Sequence, residues 1–177
     1  MIEAIPRAFV AHSDRTTVLR LEGPLRYTTA RALRKVVDDA LARAPTELVI
    51  LDLRATTFVD STGLGLVARM GRLALARSGR RAVMVSPAKD VMTILLSAAL
   101  NVLFVLVDEP PFGAPSELAE APLGSENDQG DGSLGRVVLD AHRDLAALSA
   151  KNRAEYRDVI SALEAELASA RPTLGAT

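Results

Sequence analysis

The sequence predicts an α/β domain with a mostly parallel sheet and an antiparallel edge, followed by a linker and a long amphipathic helix. Three observations carry this. Near-continuous apolar runs at Leu48–Leu53 (LVILDL), Ala82–Ser86 (AVMVS) and Val102–Val107 (VLFVLV) alternate with segments of helical period. Such runs mark strands covered on both faces. Residues 109–133, EPPFGAPSELAEAPLGSENDQGDGS, are rich in Pro, Gly, Ser and acid. They bury too little surface to offset ordering entropy, so they read as a flexible linker. Beyond them, apolar residues recur at steps of three and four from about Leu134 to Ala170.

Taken in order, Ala8–Ala11 and Thr17–Leu21 read as short strands paired around a Ser13-Asp14-Arg15 turn. Leu33, Val36, Val37, Ala40 and Leu41 share one face of a first helix, with Thr28 or Thr29 as its cap and Pro45 beyond its end. After the Leu48–Leu53 strand a second helix covers about Gly63–Ser78, closed by Gly79. Pro87 opens a third helix, Ala88–Leu100. The order β-β-α-β-α-β-α-β with right-handed crossovers makes the sheet mostly parallel. The division is therefore 1–108 domain, 109–133 linker, 134–177 helix and tail.

Composition narrows the function. The chain has 177 residues, 49% hydrophobic, with a mean hydropathy of +0.18, which is ample for a core. It has no Cys and two His, His12 and His142, which argues against thiolate chemistry and metal sites. Aromatic residues are 3% and net charge is −1, so neither stacking nor a basic field favours nucleic acid. No run reaches bilayer length, and the N-terminus lacks a signal-peptide pattern, so a cytoplasmic protein without membrane insertion is expected. The charge is split. Residues 1–108 hold 15 Lys/Arg against 10 Asp/Glu, and residues 109–177 hold 6 against 12.

The tail helix carries one narrow apolar stripe, Leu134, Val138, Ala141, Leu145 and Leu148, then Asn152, Tyr156, Val159, Leu163 and Leu167. A stripe on so long a helix needs a partner surface. Docking back onto its own domain, or a solvated helix, is favoured. A homodimer through this helix is the alternative, weakened because the heptad pattern slips after Asn152.

Asp60-Ser61-Thr62-Gly63 opens the second helix. Oxygen-bearing side chains there are first of all caps for unsatisfied N–H groups. The same place suits regulated charge, because a phosphate on a hydroxyl at a helix start lies in positive potential. Gly63 and Gly65 remove side chains near the hydroxyl, so another protein's active site gains room to approach. On this helix Leu64, Val67, Ala68, Gly71, Leu75 and Ser78 form the sheet-facing side. Leu66, Met70 and Leu73 form a second stripe, read as a protein-docking surface or, alternatively, as the seat of the tail helix. Met92, Leu96, Ala99 and Leu100 lie similarly off the main face of the third helix.

The segment FVDSTGLGLVARMGRLALARSGRRAVMVSP resembles the STAS domain of bacterial anti-sigma factor antagonists, and EGPLRYTTARALRKVVDDAL and LVILDLRATT fall in the family's expected places. The resemblance spans about residues 5–108. It implies a mixed four- to five-stranded sheet with helices packed on one side. It also implies a regulatory partner-switch without catalysis or cofactor. The unmodified protein binds an anti-sigma factor, itself a serine kinase, and so frees a sigma factor; the kinase phosphorylates the serine after the motif aspartate, and a phosphatase resets it. That serine is Ser61, with Thr62 a minor alternative, and Asp60 is the motif acid. Gly23-Pro24-Leu25-Arg26 departs from the family's Gly-Glu-Leu-Asp, and Arg26 is then available to a phosphate or to Asp60. Leu95–Asn101 lacks the glycine often found before the last strand.

Two rival readings stand beside this one. An enzyme lacks support: Ser61 has no nucleophile-elbow motif, no lysine follows Gly65 as a phosphate loop needs, and both histidines read as ordinary surface or packing residues. A non-switching STAS adaptor, in a stress-sensing scaffold or lipid transporter, uses the helix start only for docking. The switch requires residue 61 to be open to a second chain.

Overall fold

In the computed structural model the described residues are 5–42, 46–111, 113–123 and 133–169. Strands β1 (Arg7–Ser13) and β2 (Thr16–Leu25) form the expected hairpin, with Val10 opposite Leu19 and Asp14 at φ 38° in the turn. Helix α1 (Ala30–Ala42) follows and buries Leu33, Val36, Val37, Ala40 and Leu41, the predicted face. Its entry differs from expectation. Tyr27–Thr29 is a 3-10 turn, and the Thr29 hydroxyl donates backward to the Arg26 carbonyl at 3.0 Å rather than capping forward. Pro45 lies outside the described residues.

Strand β3 (Leu48–Asp52) lies parallel to β2, and β4 (Thr56–Val59) pairs parallel with the far end of β2. The sequence reading did not separate β4, because four residues carry too little periodicity. It depends on a register shift between Gly23 and Pro24, where Gly23 takes φ 74°. A bulge tolerates the missing proline N–H, which accounts for Pro24 inside a strand. Helix α2 (Ser61–Ser78) ends on Gly79 in the left-handed conformation, as expected. Strand β5 (Ala82–Val85), helix α3 (Lys89–Ser97) and strand β6 (Phe104–Val107) complete the alternation. Helix α3 is shorter than predicted, because Ala99 turns left-handed (φ 60°) and starts a 3-10 turn at Leu100–Val102. An alanine pays a steric cost there that a glycine would not.

The sheet order is β6-β5-β3-β2-β1-β7, with β4 off this path, so the mixed α/β architecture holds with more strands than expected. Strand β7 (Ala119–Ala121) lies within the stretch read as linker and adds antiparallel to β1, tied by Arg7 to Glu120 at 2.9 Å. Alternation along the strands sends Leu19, Leu21, Val49, Leu51 and Met84 to the helices. Val18, Ile50 and Val85 go to the opposite face, where Ala114 and Leu118 cover them.

The tail does dock on its own domain, but as two helices. Helix α4 (Ser133–Ala146) and helix α5 (Ala150–Ser169) fold into an antiparallel hairpin, in which a Cβ on Gly135 would lie 3.0 Å from Leu167. Ser149 breaks the predicted single helix, its hydroxyl accepting from the Asn152 amide at 3.0 Å as a cap. The Asn152 side chain, 1% exposed, donates to the carbonyls of Leu145 and Ala98, joining the hairpin to the end of α3. The apolar face of α4 joins the main core through Val137 and Leu145.

Candidate regulatory site at the start of helix α2

Asp60 is the N-cap of α2. Its Oδ1 accepts from the Gly63 amide at 2.8 Å, and its Oδ2 from the Tyr27 amide at 2.7 Å. One carboxylate thus satisfies an orphan donor of the helix and fixes the chain entering α1. It also places Ser61 at the first helical position, at the rim where α2 leaves the sheet.

Ser61 is half-buried, and its hydroxyl is engaged. Its Oγ lies 3.0 Å from Nε2 of His142 on α4. Nδ1 of the same ring lies 2.8 Å from the Val138 carbonyl. A carbonyl only accepts, so Nδ1 carries the proton, and in the neutral ring Nε2 accepts from the Ser61 hydroxyl. The ring also meets Tyr156 of α5 edge-on, at 5.6 Å between centroids. His142, 5% exposed, is therefore neither a surface residue nor simple packing, which corrects the sequence reading. Nothing local marks it. The two residues are 81 positions apart, and only the fold brings them together.

The other site residues divide. Thr62 is buried, whereas Ser61 beside it is half-buried. Gly63 faces inward against Leu25 and Val59 rather than outward beside the hydroxyl. Gly65 faces α4 so closely that a Cβ there would collide with the Ala141 backbone. Leu64, Leu66 and Met70 are buried, and Leu73 is half-buried against the core. Leu66 and Met70 line the space beneath α1 with Leu21, Leu25, Leu33 and Val37, so this stripe is core and not an exposed docking surface. Leu75, assigned to the sheet-facing side, is 39% exposed instead. Helix α2 buries more than one face because the sheet, α1 and α4 enclose it together. Of the candidates on α3, Leu96 is exposed and Leu100 is buried.

The face of α2 that meets α4 is instead the line Ser61, Gly65 and Arg72. Ser61 meets His142, Gly65 meets Ala141, and Arg72 pairs with Asp144. From α1, Arg34 pairs with Asp140 at 2.7 Å. Burial pushes the Asp144 carboxyl above its ordinary range, with Arg72 and Arg69 pulling the other way. Arg26 lies over the Phe58 ring, 5.4 Å from its centroid. Among the described residues no cluster of acids or histidines could hold a metal, and no helix is long and apolar enough to cross a membrane.

A mixed sheet with helices on one face, and a capped serine where the central helix begins, define the class. The STAS domain model matches residues 8–109, more than half of the chain, and the chain belongs to the STAS domain family. Among individual relatives, it is similar to the anti-sigma F factor antagonist of Paenibacillus polymyxa, 32% identical over 72 residues. That match covers 41% of this chain and 62% of the relative. Solved structures that resemble it include the anti-sigma factor antagonist SpoIIAA in its unphosphorylated form, 25% identical with a TM-score of 0.49 over 58% of this chain and 90% of the other. An anti-sigma factor antagonist from Mycobacterium paratuberculosis is 24% identical with a TM-score of 0.48, over 59% and 87%.

Proposed function

We propose that this chain is an anti-sigma factor antagonist that works as a phosphorylation-controlled partner-switch. In its unmodified form it binds an anti-sigma factor with serine kinase activity. The kinase moves the terminal phosphoryl group of ATP to the Ser61 oxygen: the O–P bond forms as the bond to ADP breaks, and the hydroxyl proton leaves. A serine phosphatase reverses this by hydrolysis. The observation that carries the reading is the Asp60-Ser61 pair, with Asp60 spent as the helix cap and Ser61 left at the first helical turn. There a new charge of about −1.5 to −2 lies in the positive potential of the helix start and close to a carboxylate. It alters the start of α2, the place at which a partner would dock. The name of the Paenibacillus relative supports the partner class.

The test has two arms. Mass spectrometry of protein recovered from cells should find phosphate on Ser61. Ser61→Ala should keep binding to the anti-sigma partner, while Ser61→Asp should weaken it by about tenfold, the factor that follows from roughly 1.4 kcal/mol of charge penalty. Equal binding by both variants would leave the second reading, a non-switching STAS adaptor. The hydrogen bond from Ser61 to His142 favours that reading, since it engages the hydroxyl within the chain.

A further inference from the structure

We propose that the α4–α5 hairpin is a built-in occupant of the docking face beside Ser61, so that the chain must open at this hairpin before another protein reaches the hydroxyl. This rests on the reading of the α2 start as a partner's docking place.

The contacts run along one side of α2. At its first turn His142 holds the Ser61 oxygen. One turn on, Gly65 and Ala141 bring the two backbones together, with no side chain between them. Two turns further, Arg72 meets Asp144, and Arg34 of α1 meets Asp140. A second chain cannot lie on Gly65 while Ala141 does, because no layer separates the two helices. Nor is the Ser61 oxygen free to receive a phosphoryl group while it is bonded to Nε2 of His142. The hairpin is joined to the domain covalently, so it competes at a high effective concentration. Its hold also has parts that can be released. The Arg34–Asp140 pair is partly exposed, with Asp140 39% exposed, and a pair of that kind contributes little. Asp144, which pairs with Arg72, is more buried, and that burial opposes its charge. Release frees the Ser61 oxygen and the Gly65 backbone together.

The charge division of the sequence has a use here. At the hairpin, the acidic tail half meets the basic domain half through the Arg34–Asp140 and Arg72–Asp144 pairs. Reversing the tail charges should therefore open the hairpin without altering the docking face.

The chain has no cysteine, so Ser61→Cys in the full-length protein supplies a single thiol at the site. Its reaction with a maleimide on a polymer of protein-like bulk is compared with its reaction with N-ethylmaleimide. With the tail unaltered, the bulky reagent should lag. Adding Asp140→Arg and Asp144→Arg should speed the bulky reagent about tenfold, as expected when two weak attractions become repulsions. Adding Arg34→Asp and Arg72→Asp as well re-pairs the charges and should restore the lag. Gly65→Ala, whose methyl collides with the Ala141 backbone, should accelerate labelling without any change of charge. Hydrogen exchange in β3 confirms that each variant keeps its sheet, and labelling is compared among those that do.

Equal bulky-reagent rates with the tail intact, charge-reversed and in Gly65→Ala would overturn the proposal. The outcome is separable from the fate of the switch. Phosphate on Ser61 in cells together with equal labelling rates sinks the occupant and leaves the switch standing. Accelerated labelling with no phosphate does the reverse.

Discussion

Asp60 is where one residue decides most. Its two oxygens hold two amides from different parts of the chain, Gly63 in α2 and Tyr27 before α1. Asp60→Ala removes a helix cap and a cross-link together. We expect a loss of about 1–3 kcal/mol, the sum of a cap and a charge-assisted bond, read as a lowered urea midpoint. Asp60→Asn should recover part of it, because its one carbonyl oxygen replaces only one acceptor. A midpoint unchanged in Asp60→Ala would mean that water serves both amides as well. Asp60 was legible as a cap because a cap is local: it lies three residues from the amide it serves. His142 was not, because its partner is set by packing across the chain.

Elements carry charge networks that respond to pH. Asp52, at the end of β3, is 3% exposed and meets Arg20 of β2 at 3.1 Å and Arg54 at 2.9 Å. Burial alone would raise its pKa, but the bonds from Arg54 and Arg20 together outweigh that and hold the carboxyl below the ordinary aspartate range. A carboxyl depressed in the folded state stabilises above its unfolded pKa, and that stabilisation is lost as pH falls through the folded value. Asp52→Asn should therefore cost about 1–3 kcal/mol at neutral pH, and the gap to the parent should close in acid. Urea melts at neutral pH and near pH 3 check this; a constant gap would contradict it. Asp144 has the opposite sign. Its raised pKa makes its burial unfavourable above the folded value, and acid relieves it. Element boundaries followed local chemistry where that chemistry was strong, as at Gly79. The Ser149 break went unread because a serine inside an otherwise periodic helix is ambiguous until the chain turns back.

At the scale of the molecule, the tail and the STAS domain share one core yet meet through unequal contacts. Val137 and Leu145 enter the main cluster, whereas α5 beyond Asn152 is mostly exposed. Opening the hairpin exposes far less apolar surface than unfolding the sheet. Native-state hydrogen exchange should therefore give the amides of α4 and α5 a smaller opening free energy than those of β3. If α4 exchanged only with global unfolding, the hairpin could not act as a releasable cover.

The alternation of strands and helices, the capped serine and the acidic tail were determined by the sequence itself, because each depends on residues near one another in the chain. The tertiary structure alone decided which side of α2 is open. It turned Leu66 and Met70 inward beneath α1 and set His142 on Ser61. An amphipathic pattern tells that a face is buried but not by which neighbour, and that choice is made only when all the apolar faces compete for the same few surfaces.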